Sequence, residues 1–450
     1  MFHIRKNVIN DKQHIIMRRV TLSFIITICA IATAAAQEQT SVRDAISHDK
    51  CLSGSNYLAY PGPSDATLTP APAGYEPFYI SHYGRHGSRY LLGADDYDYP
   101  TAVLAAADSL GKLTPTGRSV LARVTLMQQE ALDRYGELTA IGAAQLRDIA
   151  RRMYDRFPQV FAGEAVIDAK STVVIRCILS MENVLQQLIA LNPELKITHD
   201  ASQHDMYYMN LDDKELQNSR MPDSVTAIYN GYRASRLNCS HALRQLFNDS
   251  DYMKDADIDT LKLANKLLML ASNVQNTALR DSVTLYDIFT VDELYGYWMT
   301  ENAWWYINFG PYKLNGGTQP YSQRNLLRAI IADADEFIDS GESNGADLRF
   351  GHESMVLPLT CLLGINGFDM QTASLDSLES RGWINYEVYP MASNIQLIFY
   401  RNAGDDILIK VLLNENEASL PLNTDIWPYY KWDDFKQYYL SKLRTYDESR

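Results

Sequence analysis

The chain has 450 residues, of which 46% are apolar, so it is long and hydrophobic enough to bury a substantial core. Its formal net charge of −14 at pH 7 argues against nucleic acid as a general partner, because such binding needs a broad basic surface. A small anionic ligand remains compatible with this charge, since it needs only a local cluster of donors.

The first predicted element is a secretory signal peptide over residues 1–36. Arg18 and Arg19 precede a short apolar stretch that ends in small residues, and we expect cleavage after Ala36. The apolar stretch is too short to span a membrane comfortably, so no integral membrane segment is expected after cleavage. We therefore expect a periplasmic or extracellular protein. Its four remaining cysteines permit three disulfide pairings or are buried as small hydrophobic residues, and no bridge is assigned.

Strands and helices are predicted to alternate along the mature chain, which is typical of an α/β fold. Strands are expected over residues 77–83, 172–175, 347–350, 394–402 and 405–415. Helices are expected from residue 143 to Pro158, up to Leu191 after the second strand, and after residue 351. Residues 195 to 338 carry mostly helical signals. We predict a mostly parallel sheet flanked by helices, with α/β parts at 37–190 and 339–450 and an inserted helical domain at 191–338.

The stretch Arg85-His86-Gly87-Ser88-Arg89 places two arginines around a histidine, directly after the first predicted strand. Arginine forks match phosphate oxygens in pairs and keep their charge at any relevant pH. A histidine imidazole is a competent nucleophile when its other nitrogen is held by a hydrogen bond. The cluster therefore predicts a site that holds a phosphoryl group and attacks it.

Charged or titratable residues also follow two other predicted strands. Arg176 follows the strand at 172–175, and His352 with Glu353 follows the strand at 347–350. In open α/β sheets, ligands bind outside the carboxyl ends of the strands. We therefore expect these residues to line one pocket together with His86.

The ordered motifs resemble those of the histidine acid phosphatases, branch 2 of the histidine phosphatase superfamily. They resemble most closely the multiple inositol polyphosphate phosphatase and phytase group. The resemblance rests on RHGSR at 85–89, on LTAIGAAQLRDIARRMYDRFP from residue 138, on STVVIRCILS from residue 171, on GHESMVLPL from residue 351 and on KVLLNENEASLP from residue 410. The fold that it implies is like that of phosphoglycerate mutase.

The resemblance also implies roles for residues of this chain. His86 would be the nucleophile that forms a phosphohistidine, and His352 would hydrogen-bond a phosphate oxygen. Arg85, Arg89 and Arg176 would bind the transferred phosphoryl group. The acid beside His352 would protonate the leaving alkoxide and then help to activate water. No metal and no other cofactor is expected, because the arginines supply the positive charge.

The chain departs from the pattern at the proton donor. Many acid phosphatases of this branch carry His-Asp, many inositol polyphosphate members carry His-Ala-Glu, and this chain has His352-Glu353-Ser354. A general acid must be a titratable group, so we favour Glu353 over Ser354. Glu353 alternatively caps the helix that begins near Ser354, and both roles are compatible.

Weaker candidates lie in the helical middle. His204 is a candidate contact for a substrate phosphate or a plain surface histidine, and Asp205 is a reserve acid. The aromatic segment 295–312, with Trp298, Trp304 and Trp305, is interpreted as core.

The leading functional hypothesis is an exported phosphomonoesterase that hydrolyses inositol polyphosphates, phytate first among them. The alternatives are an acid phosphatase for other esters, such as sugar phosphates or bisphosphoglycerate, and a catalytically weak phosphate-binding relative. The expected partner in each case is a small phosphorylated molecule.

Overall fold

An eight-stranded sheet forms the centre of the computed structural model, which describes residues 41–210, 213–404 and 406–450. The strands are β1 (Glu76–Arg85), β2 (Val166–Ser171), β3 (Lys196–Asp200), β4 (Gly345–Gly351), β5 (Asn394–Arg401), β6 (Ile407–Leu413), β7 (Asn416–Ala418) and β8 (Tyr429–Lys431). Their order is β3-β2-β4-β1-β5-β6-β7, and β8 pairs with β6.

The sheet has a parallel half and an antiparallel half. Strands β3, β2, β4 and β1 pair in parallel, whereas β5, β6, β7 and β8 join through antiparallel pairings. The parallel strands are joined by helical crossovers, and the last strands follow one another through short turns. The predicted α/β class is confirmed.

The long helices cover both faces of the sheet or form a helical region, to which the segments between β1 and β2 and between β3 and β4 both contribute. The helices are α1 (Val42–His48), α2 (Asp95–Ser109), α3 (Pro115–Ala131), α4 (Ala140–Arg156), α5 (Ile175–Leu191), α6 (Met206–Met209), α7 (Lys214–Ser219), α8 (Asp223–Arg236), α9 (Ser240–Leu246), α10 (Tyr252–Asp255), α11 (Thr260–Asn273), α12 (Val291–Phe309), α13 (Arg324–Ser340), α14 (Glu353–Leu363) and α15 (Trp432–Glu448). A 3-10 helix over Lys50–Tyr57 precedes the sheet.

Side chains of β1 alternate between two separate cores. Ile80 packs with residues of α4 and α5 on one face, and Tyr79 packs with residues of α13, α14 and α15 on the other. Because both faces are covered, the strand is apolar on both sides rather than alternating with polar residues. The same alternation continues in β5, where Leu397 and Ile398 join opposite cores.

The predicted second strand was wrong in position. Thr172–Ile175 is the connection into α5, and the strand is the preceding segment, β2. The β-branched run favoured a strand on propensity alone. In the structure Thr172 donates its backbone N–H to Phe350 at the strand end, and Ile175 begins the helix.

The predicted division into domains stays a prediction. Within 191–338, β3 pairs with β2 and so belongs to the sheet, and helices dominate the other described residues. Residues 46–450 form one compact unit, and residues 41–45 begin α1. The described part of the chain contains no helix of the length and apolarity needed to cross a membrane. The predicted signal peptide lies outside the described residues.

Candidate active site

His86 and His352 leave the sheet side by side because their strands are parallel neighbours. In the register of β1 and β4, Arg85 pairs with Gly351, so both histidines follow directly at the carboxyl edge. The backbone N–H of His86 donates to the Gly351 carbonyl at 2.9 Å, and the two imidazole rings lie 5.7 Å apart. The predicted meeting of these two segments is confirmed.

Arg176 reaches the same edge by another route than the one predicted. It is the second residue of α5, in the first turn of the helix and five residues after β2 ends. Ser180 of this helix accepts a hydrogen bond from the Gly87 N–H at 3.2 Å, so α5 contacts the loop that carries His86. The next residue, Cys177, lies with its sulfur 3.7 Å from His352 Nε2.

The 85–89 loop is held by the beginning of α4. Thr139 caps this helix through the Gly142 N–H, and its hydroxyl also donates to the Ser88 carbonyl at 3.1 Å. The side-chain oxygen of Gln145 accepts from the Ser88 N–H at 3.0 Å. The Leu-Thr-x-x-Gly-x-x-Gln motif therefore positions the loop rather than touching the reaction centre.

Glycine is required where the loop meets α4. A Cβ on Gly142 would lie 2.2 Å from the Ser88 carbonyl oxygen, and a Cβ on Gly87 would lie 2.5 Å from the Gly142 carbonyl oxygen. Gly87 thus serves close packing of backbone against backbone.

The imidazole of His86 is fully buried, and its two nitrogens have different environments. Its Nδ1 lies 2.9 Å from the carbonyl oxygen of Gly87, so Nδ1 carries the proton that is donated there. Its Nε2 then bears the lone pair, and within the described residues that atom has no hydrogen-bond partner. This tautomer leaves Nε2 as a nucleophile.

Three arginines whose charges act on His86 carry buried N–H groups that no described residue accepts. These groups are Nη2 of Arg85, Nε of Arg89 and Nε of Arg176. Buried polar groups are normally paired, so three such donors around one nucleophile favour an anion as their partner. Elsewhere Arg85 is anchored, since its Nη1 donates to the carbonyls of Asn56 at 2.8 Å and Tyr389 at 2.7 Å.

Glu353 is a buried carboxylate between the arginine and the nucleophile. One of its oxygens lies 3.1 Å from Arg85 Nε and 3.7 Å from His86 Nε2. The other oxygen accepts from Asn56 Nδ2 at 3.2 Å. Glu353 is also the first residue of α14, where the helix dipole favours a negative charge, although no described side chain caps this helix by a hydrogen bond. Its role as the proton donor stays a prediction.

The net effect of burial and the neighbouring charges is to lower the pKa values of His86, His352 and Glu353. Burial, followed by the positive charge of Arg85, holds the pKa of His86 well below its usual value. Burial also lowers the pKa of His352 to about 4. Burial alone would raise the pKa of the Glu353 carboxyl, but Arg85 and the other neighbouring charges outweigh it and keep that pKa well below its usual range. In the free site both histidines are therefore neutral and Glu353 is ionised at mildly acidic pH.

His86, His352 and Glu353 each offer a ligand atom within 4.8 Å of the others, which is close enough to hold a metal ion. The surrounding charge opposes this use. Arg85 already neutralises Glu353, and burial together with Arg89 and Arg176 lowers the pKa of Arg85 to about 10. The excess positive charge favours an anion over a cation.

The sequence model of the Histidine phosphatase superfamily (branch 2) matches residues 85–414. The chain belongs to this family. The resemblance to the histidine acid phosphatases is thereby confirmed, and the matched range begins at Arg85 of the motif described above. No curated protein matches the chain.

Solved structures of this fold cover most of the chain. The multiple inositol polyphosphate phosphatase of Bifidobacterium longum, in complex with inositol hexasulfate, has a TM-score of 0.72 at 20% identity and covers 87% of this chain and 98% of its own. The phytase from D. castellii has a TM-score of 0.65 at 13% identity, covering 88% and 85%. The Hafnia alvei phytase with myo-inositol hexakis sulphate has a TM-score of 0.50 at 13% identity, covering 82% and 98%.

Two residues of this histidine phosphatase site, Asn56 and Tyr57, were not predicted from the sequence. Asn56 and Tyr57 lie before the matched range, in the 3-10 helix Lys50–Tyr57, yet Asn56 contacts both Arg85 and Glu353. The guanidinium of Arg89 lies over the Tyr57 ring, 5.4 Å from its centroid. No motif marks this segment, because its role depends on tertiary packing.

His204 makes no contact with the catalytic cluster among the described residues. It is exposed in the turn Gln203–Asp205 after β3, where its backbone N–H donates to Ser202 Oγ. Its imidazole makes no hydrogen bond or ion pair with the described residues, so its predicted contact with a substrate phosphate stays a prediction. The reserve acid Asp205 is buried in the same turn.

Proposed function

We propose that this chain is an exported phosphomonoesterase that hydrolyses inositol polyphosphates, phytate first among them, through a phosphohistidine intermediate. One observation carries the proposal. Among the described residues, Nε2 of His86 has no hydrogen-bond partner, and neither do N–H groups of Arg85, Arg89 and Arg176, whose charges act on this histidine. Such a set binds a tetrahedral anion and places a nucleophile against it.

In the first step, His86 Nε2 attacks the phosphorus and the bond from phosphorus to the inositol oxygen breaks. The arginines stabilise the negative charge on the equatorial oxygens, and His352 hydrogen-bonds one of them. The leaving oxygen takes a proton from Glu353. The products are a free hydroxyl group on the ring and phosphohistidine at His86.

In the second step, a water molecule attacks the phosphohistidine. Glu353, now a carboxylate, accepts a proton from that water, and the bond between nitrogen and phosphorus breaks. Inorganic phosphate leaves and His86 returns to its neutral form with Nδ1 still donating to Gly87. A covalent intermediate divides one difficult displacement into two easier ones.

Glu353 acquires its proton in the complex rather than in the free enzyme. Arg85 keeps the carboxyl ionised when the site is empty, 3.1 Å away. A bound phosphoryl group brings negative charge to the same arginine and so raises the pKa of the neighbouring carboxyl. Substrate binding thereby favours the protonated form of Glu353 that the first step requires.

Two structural relatives support the substrate class. The Bifidobacterium longum structure holds inositol hexasulfate, and the Hafnia alvei structure holds myo-inositol hexakis sulphate. We extend this ligand class to the present chain as part of the proposal. Export is proposed from the segment 1–36, and a periplasmic or extracellular enzyme would meet phytate outside the cytoplasm.

The test is phosphate release by the purified wild-type protein and the His86→Ala variant. The proposal expects the wild type to release phosphate from phytate with a higher kcat/KM than from sugar phosphates or bisphosphoglycerate. The folded His86→Ala variant should retain less than about 1% of that rate, as expected when a nucleophile is removed. Substantial activity without His86, or a wild type that is inactive on every ester, contradicts the proposal.

A further inference from the structure

Ser55 has a backbone conformation that serine rarely adopts, directly beside the catalytic cluster. Its φ of 53° and ψ of −118° interrupt the 3-10 helix Lys50–Tyr57, and the residue is buried. Residues with a Cβ that adopt positive φ normally have ψ of about +30 to +60°, so this pair of angles suits glycine and strains serine. Such a conformation persists only where the surrounding structure imposes it, and it is typical of functional sites.

Three hydrogen bonds hold the segment around Ser55. The Ser55 hydroxyl oxygen accepts from Asn385 Nδ2 at 2.7 Å, and the Ser55 carbonyl accepts from the Leu58 N–H at 3.1 Å. The carbonyl of Tyr57 accepts from Asn276 Nδ2 at 2.7 Å. Because both asparagines come from distant parts of the chain, at sequence separations of 330 and 219, the tertiary fold imposes this conformation.

The side chain of Asn385 is fixed in one orientation. Its oxygen accepts from Trp298 Nε1 at 3.0 Å, and its backbone N–H donates to Asn302 Oδ1 at 3.0 Å. Trp298 belongs to the aromatic segment 295–312, which was predicted to be core, and it is buried as expected. Since the amide oxygen is bound to the indole, the amide nitrogen must face the hydroxyl of Ser55.

The residue after Ser55 contacts the catalytic pair. The Asn56 carbonyl accepts from Arg85 Nη1 at 2.8 Å, and Asn56 Nδ2 donates to Glu353 Oε1 at 3.2 Å. The peptide bond between residues 55 and 56 is planar, so the ψ angle of Ser55 sets the direction in which Asn56 leaves. A residue that relaxed to ordinary angles would rotate this peptide plane and move Asn56 away from its partners.

Resting on the proposed phosphatase function, we propose that Ser55 is a positioning residue for Glu353, the expected proton donor. Its left-handed backbone, fixed through the hydroxyl by Asn385, directs Asn56 towards Glu353. Asn56 then holds Oε1 of the carboxyl, and Oε2 stays 3.7 Å from His86 Nε2. Holding an acid in its working geometry before the substrate binds speeds proton transfer to the leaving group.

The test compares Ser55→Ala and Ser55→Gly with the wild type. Both variants lose the hydroxyl that Asn385 holds, but glycine adopts the native angles without strain and alanine does not. Ser55→Ala should lower kcat on phytate by about tenfold, as for the loss of one hydrogen bond to a charged group, and Ser55→Gly should stay within about threefold of the wild type. The phosphorylation step with p-nitrophenyl phosphate needs no proton donor and should change by less than about twofold in both variants.

A double-mutant cycle separates positioning of Asn56 from a general loosening of the site. If Ser55 acts through Asn56, the double variant Ser55→Ala/Asn56→Ala should match Asn56→Ala on phytate. Two independent defects would multiply instead, to a loss of about a hundredfold. The control is Asp257→Ala, because Asp257 also has a positive φ, of 51°, but is exposed between α10 and α11. This control should change the rate on neither substrate.

A loss on phytate alone in Ser55→Ala, recovered in Ser55→Gly and absent from the Asn56→Ala background, supports the inference. Full activity of Ser55→Ala, equal losses in the alanine and glycine variants, equal losses on both substrates or multiplied losses in the double variant overturn it. These results leave the phosphatase function standing. A wild type that releases phosphate from neither substrate overturns the phosphatase function, and the role of Ser55 with it.

Discussion

Glu353 is ion-paired with Arg85, with 3.1 Å between Oε2 and Nε, before any substrate arrives. The expected proton donor, Glu353, is thus in direct contact with Arg85, which is expected to bind the phosphate. Both are buried, so the pairing is screened little by solvent. A phosphoryl group that binds Arg85 must compete for this guanidinium, and this competition couples substrate binding to the protonation of Glu353.

The first prediction concerns the dependence on the leaving group. Glu353→Gln should reduce phytate hydrolysis by roughly two to four orders of magnitude, the usual contribution of general acid–base catalysis. It should reduce the phosphorylation step with p-nitrophenyl phosphate much less, because a phenolate leaves without a proton. Single-turnover kinetics on both substrates measure the difference.

The matched control for that prediction is Ser354→Ala, which should be mild on both substrates. A harmless Glu353→Gln combined with a crippling Ser354→Ala would place the donor elsewhere, with Asp205 the next residue to test. An equal loss of activity on both substrates in Glu353→Gln would mean that Glu353 activates water or maintains the structure rather than protonating the leaving group.

The second prediction concerns the protonation of His86. Burial and Arg85 hold its pKa well below 6.5, so the folded free enzyme should keep this imidazole neutral at pH 5. Histidine side-chain NMR of the free protein should show the neutral Nδ1–H tautomer between pH 7 and 5. The reference is the pH at which the same histidine becomes protonated in the urea-unfolded chain. Titration of His86 near pH 6.5 in the folded protein would contradict the burial argument.

The third prediction concerns the segment before the family match. Asn56→Ala removes the amide that donates to Glu353 at 3.2 Å and should lower kcat on phytate by about tenfold, as for the loss of one hydrogen bond to a charged group. Asn56→Asp should lower it further, because a second carboxylate would face Glu353. If Asn56→Asp is as active as the wild type, this segment does not position the acid.

The fourth prediction concerns the close approach of α4 to the catalytic loop. Gly142→Ala would place a methyl group 2.2 Å from the Ser88 carbonyl oxygen, so the 85–89 loop must shift and kcat should fall by at least about tenfold. Gly231→Ala is the matched control, since this exposed glycine of α8 has open space around it. That change should leave activity intact and stabilise the protein by about 0.5–1 kcal/mol. Equal activity of both variants would show that the contact is dispensable.

The sequence predicted the strand-end histidines well because their segments are marked by local chemistry. β1 is an apolar run that ends in the motif 85–89, β4 leads directly into His352-Glu353, and parallel pairing then brings His86 and His352 together. The prediction that Arg176 lies at this edge of the sheet is correct, but the strand on which it rested is not. The β-branched run 172–174 is the segment that leads into α5. Local propensity could not reveal that Phe350 takes the backbone hydrogen bond of Thr172.

The missed residues depend on contacts between distant segments. Asn56 reaches Glu353 across almost 300 positions of the chain, with a sequence separation of 297. Tyr57 likewise meets Arg89 from a distant segment, with its ring centroid 5.4 Å from the guanidinium. Neither residue belongs to a motif, so its chemistry becomes visible only in the folded chain.

Trapping of the covalent intermediate tests the central claim most directly. The wild-type protein is mixed with substrate carrying a radioactive phosphate group and quenched during turnover with alkaline detergent, because phosphohistidine is labile in acid. The account predicts label on the peptide that contains His86, with the stability of a phosphoramidate, and no label in His86→Ala. Label on a serine, an aspartate or Cys177, or equal labelling of the His86→Ala variant, would contradict it.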